Sequence, residues 1–343
     1  MPITRSRSPF AVPACLALAT AIFVLTASAA MGKPTRAEVR VVTGDGKTLV
    51  DVVQYTDTTR VPTSPRARCF FGGTGGSGKP ATVEGPNALG IVADAARSRK
   101  RLKPLLITDE FSFGLGICGF GGARADAGHY WNVRVNHRGL QVGGDQYRLG
   151  RGDKVLWALI ENPTCDPNPP YTCEPGPSEL ELRAPARATP GNPFAVRVFE
   201  WSDSGRRTPA EGVEVTGASG PTDADGRTAV TLAGTRKLFA RRAGAISASE
   251  RAVCVAAPIS RCPRVRGRIL VGSGKAERIR GSIGGDRIKP RGGRDKVIAR
   301  AGADLIRARG GGRDRINCGR GFDRVIADRR DVVTRNCERV RRR

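Results

Sequence analysis

Gly284-Gly285-Asp286-Arg287-Ile288, Gly293-Arg294-Asp295-Lys296-Val297, Gly302-Ala303-Asp304-Leu305-Ile306, Gly312-Arg313-Asp314-Arg315-Ile316 and Gly321-Phe322-Asp323-Arg324-Val325 are five versions of one phrase. Their aspartates lie 9, 9, 10 and 9 residues apart in a chain of 343 residues. Gly stands two residues before each aspartate and an aliphatic side chain two residues after it. Three features held in phase over five repeats are hard to obtain from composition alone. Glu277 with Ile279 extends the phase upstream, with Glu in the Asp position and Lys275 where Gly should stand. Each part has a physical reason. Gly reaches positive φ in a tight turn without a Cβ penalty, and a short strand points one aliphatic inward.

The phrase resembles the RTX nonapeptide, G-G-x-G-x-D-x-U-x, over the last 80 or so residues. The resemblance implies a parallel β-roll whose turns bind calcium through Asp286, Asp295, Asp304, Asp314 and Asp323. Alternate turns fall on opposite sides, which pairs Asp286 with Asp304, Asp295 with Asp314 and Asp304 with Asp323. Two carboxylates and the turn carbonyls are then the oxygen donors calcium needs. The departures are real. Pro290-Arg291 and Ala299-Arg300 replace the leading glycines, and the extra Gly in Gly310-Gly311-Gly312 slips the register once. Arg287, Arg291, Arg294, Lys296, Arg313, Arg315, Arg320 and Arg324 crowd the turns, and cations oppose a divalent ion there. Three outcomes stay open: weak calcium binding in the 10⁻⁴ to 10⁻³ M range of extracellular modules, Arg–Asp pairs replacing the metal, or disorder.

Charge follows the same division. The chain carries 58 basic and 32 acidic side chains. Residues 263–343 hold 25 and 9 of them, a net +16, against +7 for residues 31–163 and +1 for residues 164–262. A basic segment of that density is the footprint of an anionic partner, a cell-wall polymer or nucleic acid, and equally of an Arg-biased composition.

Arg5 and Arg7, an apolar run through Leu25, and the small residues Ala27-Ser28-Ala29 read as a secretory signal peptide over residues 1–30. The protein is therefore expected outside the cell, with no span in the mature chain. Eight cysteines follow the leader. An even count in an exported chain argues for disulfides, and their local distribution predicts Cys69 with Cys118, Cys165 with Cys173, Cys254 with Cys262, and Cys318 with Cys337.

In residues 31–161, Glu38 to Val42 and Thr48 to Val53 flank Gly44-Asp45-Gly46, a hairpin signal. Residues 87–99 carry Leu89, Val92, Ala93 and Ala96 at helical spacing. Tyr130 to Asn136 and Lys154 to Ile160 read as strands, with Trp131 and Trp157 as core aromatics and His137 in a turn. Tyr130-Trp131-Asn132-Val133-Arg134-Val135-Asn136, followed by Tyr147 and Gly152-Asp153-Lys154-Val155-Leu156-Trp157, is similar to the transcobalamin-like C-terminal domain family, which implies a β-grasp fold. No segment here could build the helical barrel that holds cobalamin in those carriers. The small-molecule ligand of such a module is not legible.

Residues 162–178 are Pro-rich and hold two cysteines, a stapled linker. Residues 179–257 show short alternating runs between Gly and Pro turns, and resemble the bacterial immunoglobulin-like β-sandwich modules of secreted proteins. Asp223-Ala224-Asp225-Gly226 opens like a calcium loop but has Gly234 at the twelfth place, so a hairpin turn is expected.

The fold class expected is thus mainly β and multidomain: an α+β β-grasp module, a β-sandwich and a parallel β-roll from residue 264. No enzyme is expected. Gly73 to Lys79 fits the start of a P-loop, but Pro80 stands where Ser or Thr must reach magnesium. Two His in the whole chain disfavour His-based catalysis. The expectation is a monomeric, secreted protein with calcium as its one cofactor, acting in adhesion or ligand capture. The alternative is a polyanion-binding protein with a metal-free roll.

Overall fold

The structure, a computed structural model, describes residues 34–69, 73–165, 173–262 and 266–343. The leader expected over residues 1–30 lies outside them. Among the described residues no helix is long and apolar enough to cross a membrane. All four expected disulfides are present.

Alternating valines in Thr35–Val42 and Thr48–Thr56 put Val39, Val41, Val50 and Val52 on one face, and the two strands pair antiparallel. Thr35–Val42 also pairs in parallel with Lys154–Glu161, which pairs antiparallel with His129–Val135. The helix Ala88–Ser98 covers the valine face, and Leu89, Val92, Ala93 and Ala96 are buried as their spacing predicts. Asn87 starts it, its side chain accepting the Gly90 N–H at 2.6 Å. Trp131 and Trp157 are core residues, both edge-on to Phe120.

In the middle segment Phe194–Trp201 pairs with Glu179–Arg183, Arg207–Pro209 and Arg227–Val230. A second small sheet joins Arg187–Ala188, Arg251–Val255 and Arg236–Leu238. Leu180, Leu182, Val196, Val198, Leu238 and Val253 share one core. Asp223 closes the expected hairpin turn, its carboxylate accepting from the N–H of Asp225 and Arg227 at 3.0 and 2.7 Å.

The repeats form a β-solenoid of about four turns. One wall stacks Ile269–Val271, Arg287–Lys289, Leu305–Ala308, Arg324–Ala327 and Arg339–Arg342 in parallel. The other stacks Arg278–Arg280, Lys296–Ile298, Arg315–Asn317 and Val332–Val333. One aliphatic per strand fills the space between: Leu270, Ile279, Ile288, Val297, Ile306, Ile316 and Val325.

No pattern in the sequence announces how the solenoid begins. Its first strand adds in parallel to the edge strand Thr48–Thr56, pairing Leu270 with Val53 and Val271 with Gln54. The two modules therefore share one ten-stranded sheet. Val53 and Tyr55 belong to the solenoid's core. The joint covers an open edge on each partner, which a free sheet would leave exposed to aggregation.

Candidate functional site

Each repeat aspartate opens a strand, where the main-chain N–H of the residue one coil earlier lacks a ladder acceptor. The aspartate supplies one. Asp304 Oδ1 accepts the Asp286 N–H at 2.7 Å, Asp314 Oδ1 that of Asp295 at 2.9 Å, and Asp323 Oδ1 that of Asp304 at 2.8 Å. The three same-side pairs predicted from the repeat are thus brought together, in each case through a main-chain hydrogen bond. Asp286 and Asp295 do the same for Arg268 and Glu277. Each carboxyl satisfies a buried donor that would otherwise be stranded.

Two rungs escaped the repeat. Asp331 Oδ1 accepts from Asp314 N–H at 2.9 Å, and Glu338 Oε2 from Asp323 N–H at 2.7 Å. Both keep the aliphatic two residues on, Val333 and Val340, but the spacing shortens and the Gly is lost. A search for Asp-x-aliphatic or Glu-x-aliphatic with the spacing relaxed would have found them.

The second carboxyl oxygens divide the rungs. Asp286 Oδ2 accepts from the Ser282 N–H, and Asp331 Oδ2 from that of Asp328. Glu277 Oε2, Asp295 Oδ2, Asp304 Oδ2 and Asp323 Oδ2 are buried without a partner. Burial, with neighbouring carboxyls of the same column, pushes Asp295 up to about 8 and Asp304 to about 7. Burial likewise lifts Glu277 to about 7 and Asp314 to about 6, and raises Asp323.

The repeat aspartates are not paired with arginine among the described residues. Among the described residues none of the five repeat aspartates lies within salt-bridge distance of a cation, and the only ion pair made by the solenoid joins Lys275 to Asp57 at 2.7 Å. Side-chain alternation is the reason: Asp286 turns in, so the adjacent Arg287 must turn out. Seven of the nine carboxyls in the segment are buried, and none of its described Lys or Arg is. The outer surface is left with Glu338 exposed and Asp328 half-buried against 24 described cations.

These cations stand in columns. Arg278, Lys296 and Arg315 are directly paired across one wall. Arg287, Arg324 and Arg339 share a column on the other, interrupted by Leu305. Neighbours in a column are about 4.8 Å apart at the backbone, and like charges directly opposite oppose the pairing.

The glycine-rich loop holds no open phosphate cradle. Glu110 takes the Gly75 N–H at 2.9 Å and Asp109 takes the Ser77 N–H and hydroxyl, both at 2.6 Å. His137 sits in its turn at φ 70, and there it stacks on Trp201 with ring centroids 4.1 Å apart and meets Glu179 at 3.0 Å. Among the described residues no group of three or more His, Cys, Asp or Glu is placed to hold a metal ion. Compared with known protein families, with characterised proteins and with solved structures, the chain matches none.

Proposed function

We propose that the protein is an exported, non-enzymatic scaffold that holds an anionic polymer of the cell exterior along the outer walls of its solenoid. One observation carries this reading: the fold turns seven carboxyls inward and leaves its cations outward in unpaired columns. Columns of like charge oppose folding, and a polyanion laid across them removes that opposition while releasing its counterions. The disulfides fit an oxidising exterior. The central parallel pair with one covering helix supports a β-grasp reading of residues 31–161. Two small sheets on one core support an immunoglobulin-like reading of residues 179–257. Both would serve as spacers or capture modules.

The test is retention of the full chain on an immobilised sulfated polymer under a salt gradient. Elution well above physiological salt supports the proposal, and elution near 0.15 M, at roughly the ionic strength where screening is already strong, overturns it. The triple variant Arg278→Gln, Lys296→Gln, Arg315→Gln should lower the log–log salt slope by about 2–3.

The partnerless oxygens of Glu277, Asp295, Asp304 and Asp323 favour a second reading, calcium binding in the columns. Each coil step offers one or two side-chain oxygens, so turn carbonyls and water must complete the six to eight that calcium takes. Calorimetry of chelator-treated protein decides it. Saturable heat below about 1 mM calcium, weakened in Asp304→Asn, supports the site. An unmoved melting temperature at tenfold higher calcium removes it.

A further inference from the structure

Phe199 is a buried aromatic outside any apolar core. It lies on the strand Phe194–Trp201, whose Val196 and Val198 face the core of the middle segment. Alternation therefore turns Arg197, Phe199 and Trp201 to the opposite face. Phe199 is nonetheless only 8% exposed. Three arginines cover it. The guanidinium carbons of Arg183, Arg197 and Arg207 lie 4.9, 4.6 and 4.6 Å from its ring centroid, and that of Arg207 also lies 5.4 Å from the Trp201 ring.

Register gathers these cations from neighbouring strands. Arg183 stands directly opposite Arg197, Arg197 opposite Arg227, and Arg207 opposite Trp201. Arg183, Arg197 and Arg227 thus form a row of like charges across three strands, which opposes the pairing. The attraction of one ring for a cation does not remove the repulsion among three. The carboxylates bordering the face are engaged already. Glu181 accepts from Arg183 Nε and Trp201 Nε1, both at 2.9 Å. Glu179 accepts from Arg40 at 2.6 Å and meets His137 at 3.0 Å, and Asp225 stands 3.6 Å from Arg227. Arg197 Nε donates to the Asp225 carbonyl at 2.9 Å. Among the described residues, the Nη groups of Arg183 and Arg197 and the whole Arg207 guanidinium have no hydrogen-bond partner. They reach solvent: Arg183 and Arg207 are exposed, and no nitrogen of the half-buried Arg197 is shut away unpaired.

We infer that this face of the middle segment seats a polyvalent oxyanion, phosphate or sulfate groups carried close together on one ligand, held by Arg183, Arg197 and Arg207 with Arg227 at the margin. A guanidinium stacked on a ring keeps its N–H edge pre-organised for two oxygens. Three of them gathered at one ring call for more than one negative charge, so a single carboxylate leaves cations uncompensated. The aromatic rings are covered, Phe199 by the arginines and Trp201 by Arg207 and by His137, stacked at 4.1 Å. A sugar ring or a base finds no platform there, and recognition rests on charge. The seat is separate from the columns of the solenoid walls and stands whether or not a polymer binds them.

Tripolyphosphate titrated into the full chain at 0.15 M salt, where long-range attraction is screened, tests it by calorimetry and tryptophan fluorescence. Trp131 and Trp157 are core residues, so Trp201 is the reporter of this face. One saturable site with a matching fluorescence change is expected. The fluorescence change should vanish in Trp201→Phe while the heat remains. Affinity should fall at least tenfold in Arg197→Gln combined with Arg207→Gln. Arg207→Gln alone, which loses no side-chain hydrogen bond among the described residues, should weaken binding about threefold and keeps the test readable should the double variant fail to fold. No saturable heat, heat without a Trp201 response, or unchanged affinity in Arg207→Gln overturns the assignment. The triple wall variant separates this inference from the polymer reading. It should keep the Trp201 response in full even where it loses retention on the sulfated resin; a lost response would move the site to the walls and overturn the seat. In that wall variant, affinity per phosphate that rises from tripolyphosphate to long-chain polyphosphate assigns the seat to a polymer's groups, and constant or falling affinity assigns it to a free small anion.

Discussion

The main-chain N–H of Asp304 donates to Oδ1 of Asp323, 19 residues later, at 2.8 Å, while Oδ2 of Asp323 is buried with no partner. One oxygen of the carboxyl builds the solenoid and the other is in excess. Ionising such a group in the absence of a cation is unfavourable, and that has a direct consequence for pH.

Solenoid stability should fall as pH rises. Asp295 and Asp304 stand at about 8 and about 7 in the fold, above the ordinary 3.8. Below 3.8 both folded and unfolded chains hold the protons. Between 3.8 and about 8 the unfolded chain releases protons that the fold keeps, so stability declines through this window and levels off above it. Melting scans at pH 5 and pH 8.5 in chelator should show the higher temperature at pH 5. Asp304→Asn keeps the acceptor for Asp286 and removes the charge, so it should raise the melting temperature at both pH values, and more at pH 8.5 than at pH 5.

Gly319→Ala should break a turn. Gly319 has φ +97, and a Cβ there would lie 1.6 Å from the Arg300 carbonyl oxygen. A clash with backbone cannot be relieved by rotating a side chain, and a loss of about 2–4 kcal/mol is expected in denaturant unfolding. An alanine variant as stable as the parent would mean that the coil spacing adjusts.

Removing Glu179 should leave a buried cation alone. Arg40 Nη2 donates to Glu179 Oε1 at 2.6 Å, across the boundary between the first two segments. Burial pushes the Glu179 carboxyl up, but His137 and Arg40 outweigh it and hold it below the usual value. Glu179→Ala should cost about 3–5 kcal/mol, and Arg40→Met combined with Glu179→Leu should recover most of it. A small loss in the single variant would show that water reaches Arg40.

Val53→Asp should detach the solenoid's first coil. Val53 pairs with Leu270 and sits in the solenoid's core. Amide exchange at Ile269–Val271 should accelerate, while Leu305–Ala308, two coils away, keeps its protection. Uniform loss of protection would make the solenoid one cooperative unit.

The hairpin about Gly46, the helix from Ala88, the turn at Asp223 and three of the disulfides were legible because each rests on local spacing or on nearby residues, while Cys69–Cys118, 49 residues apart, was legible because it pairs the two cysteines of one segment. So were the five aspartates and their same-side pairing. Asp331 and Glu338 were missed because the last coils shorten and drop the glycine that marked the phase. That the described solenoid aspartates are not paired with arginine could have been read from strand alternation, which turns Arg287 and Arg324 away from the aspartates beside them.

The sequence by itself determined the period, the inward aliphatics, the outward cations and the local staples, since these follow from backbone geometry and alternation within a few residues. Only the tertiary structure decided what meets across long separations. The Val53–Leu270 joint and the Arg40–Glu179 pair depend on register and on which edges remain open after each module folds. Register is where one residue matters: the extra glycine at Gly310-Gly311-Gly312 changes a step of 18 to one of 19, and the carboxyl ladder continues because the turn absorbs it.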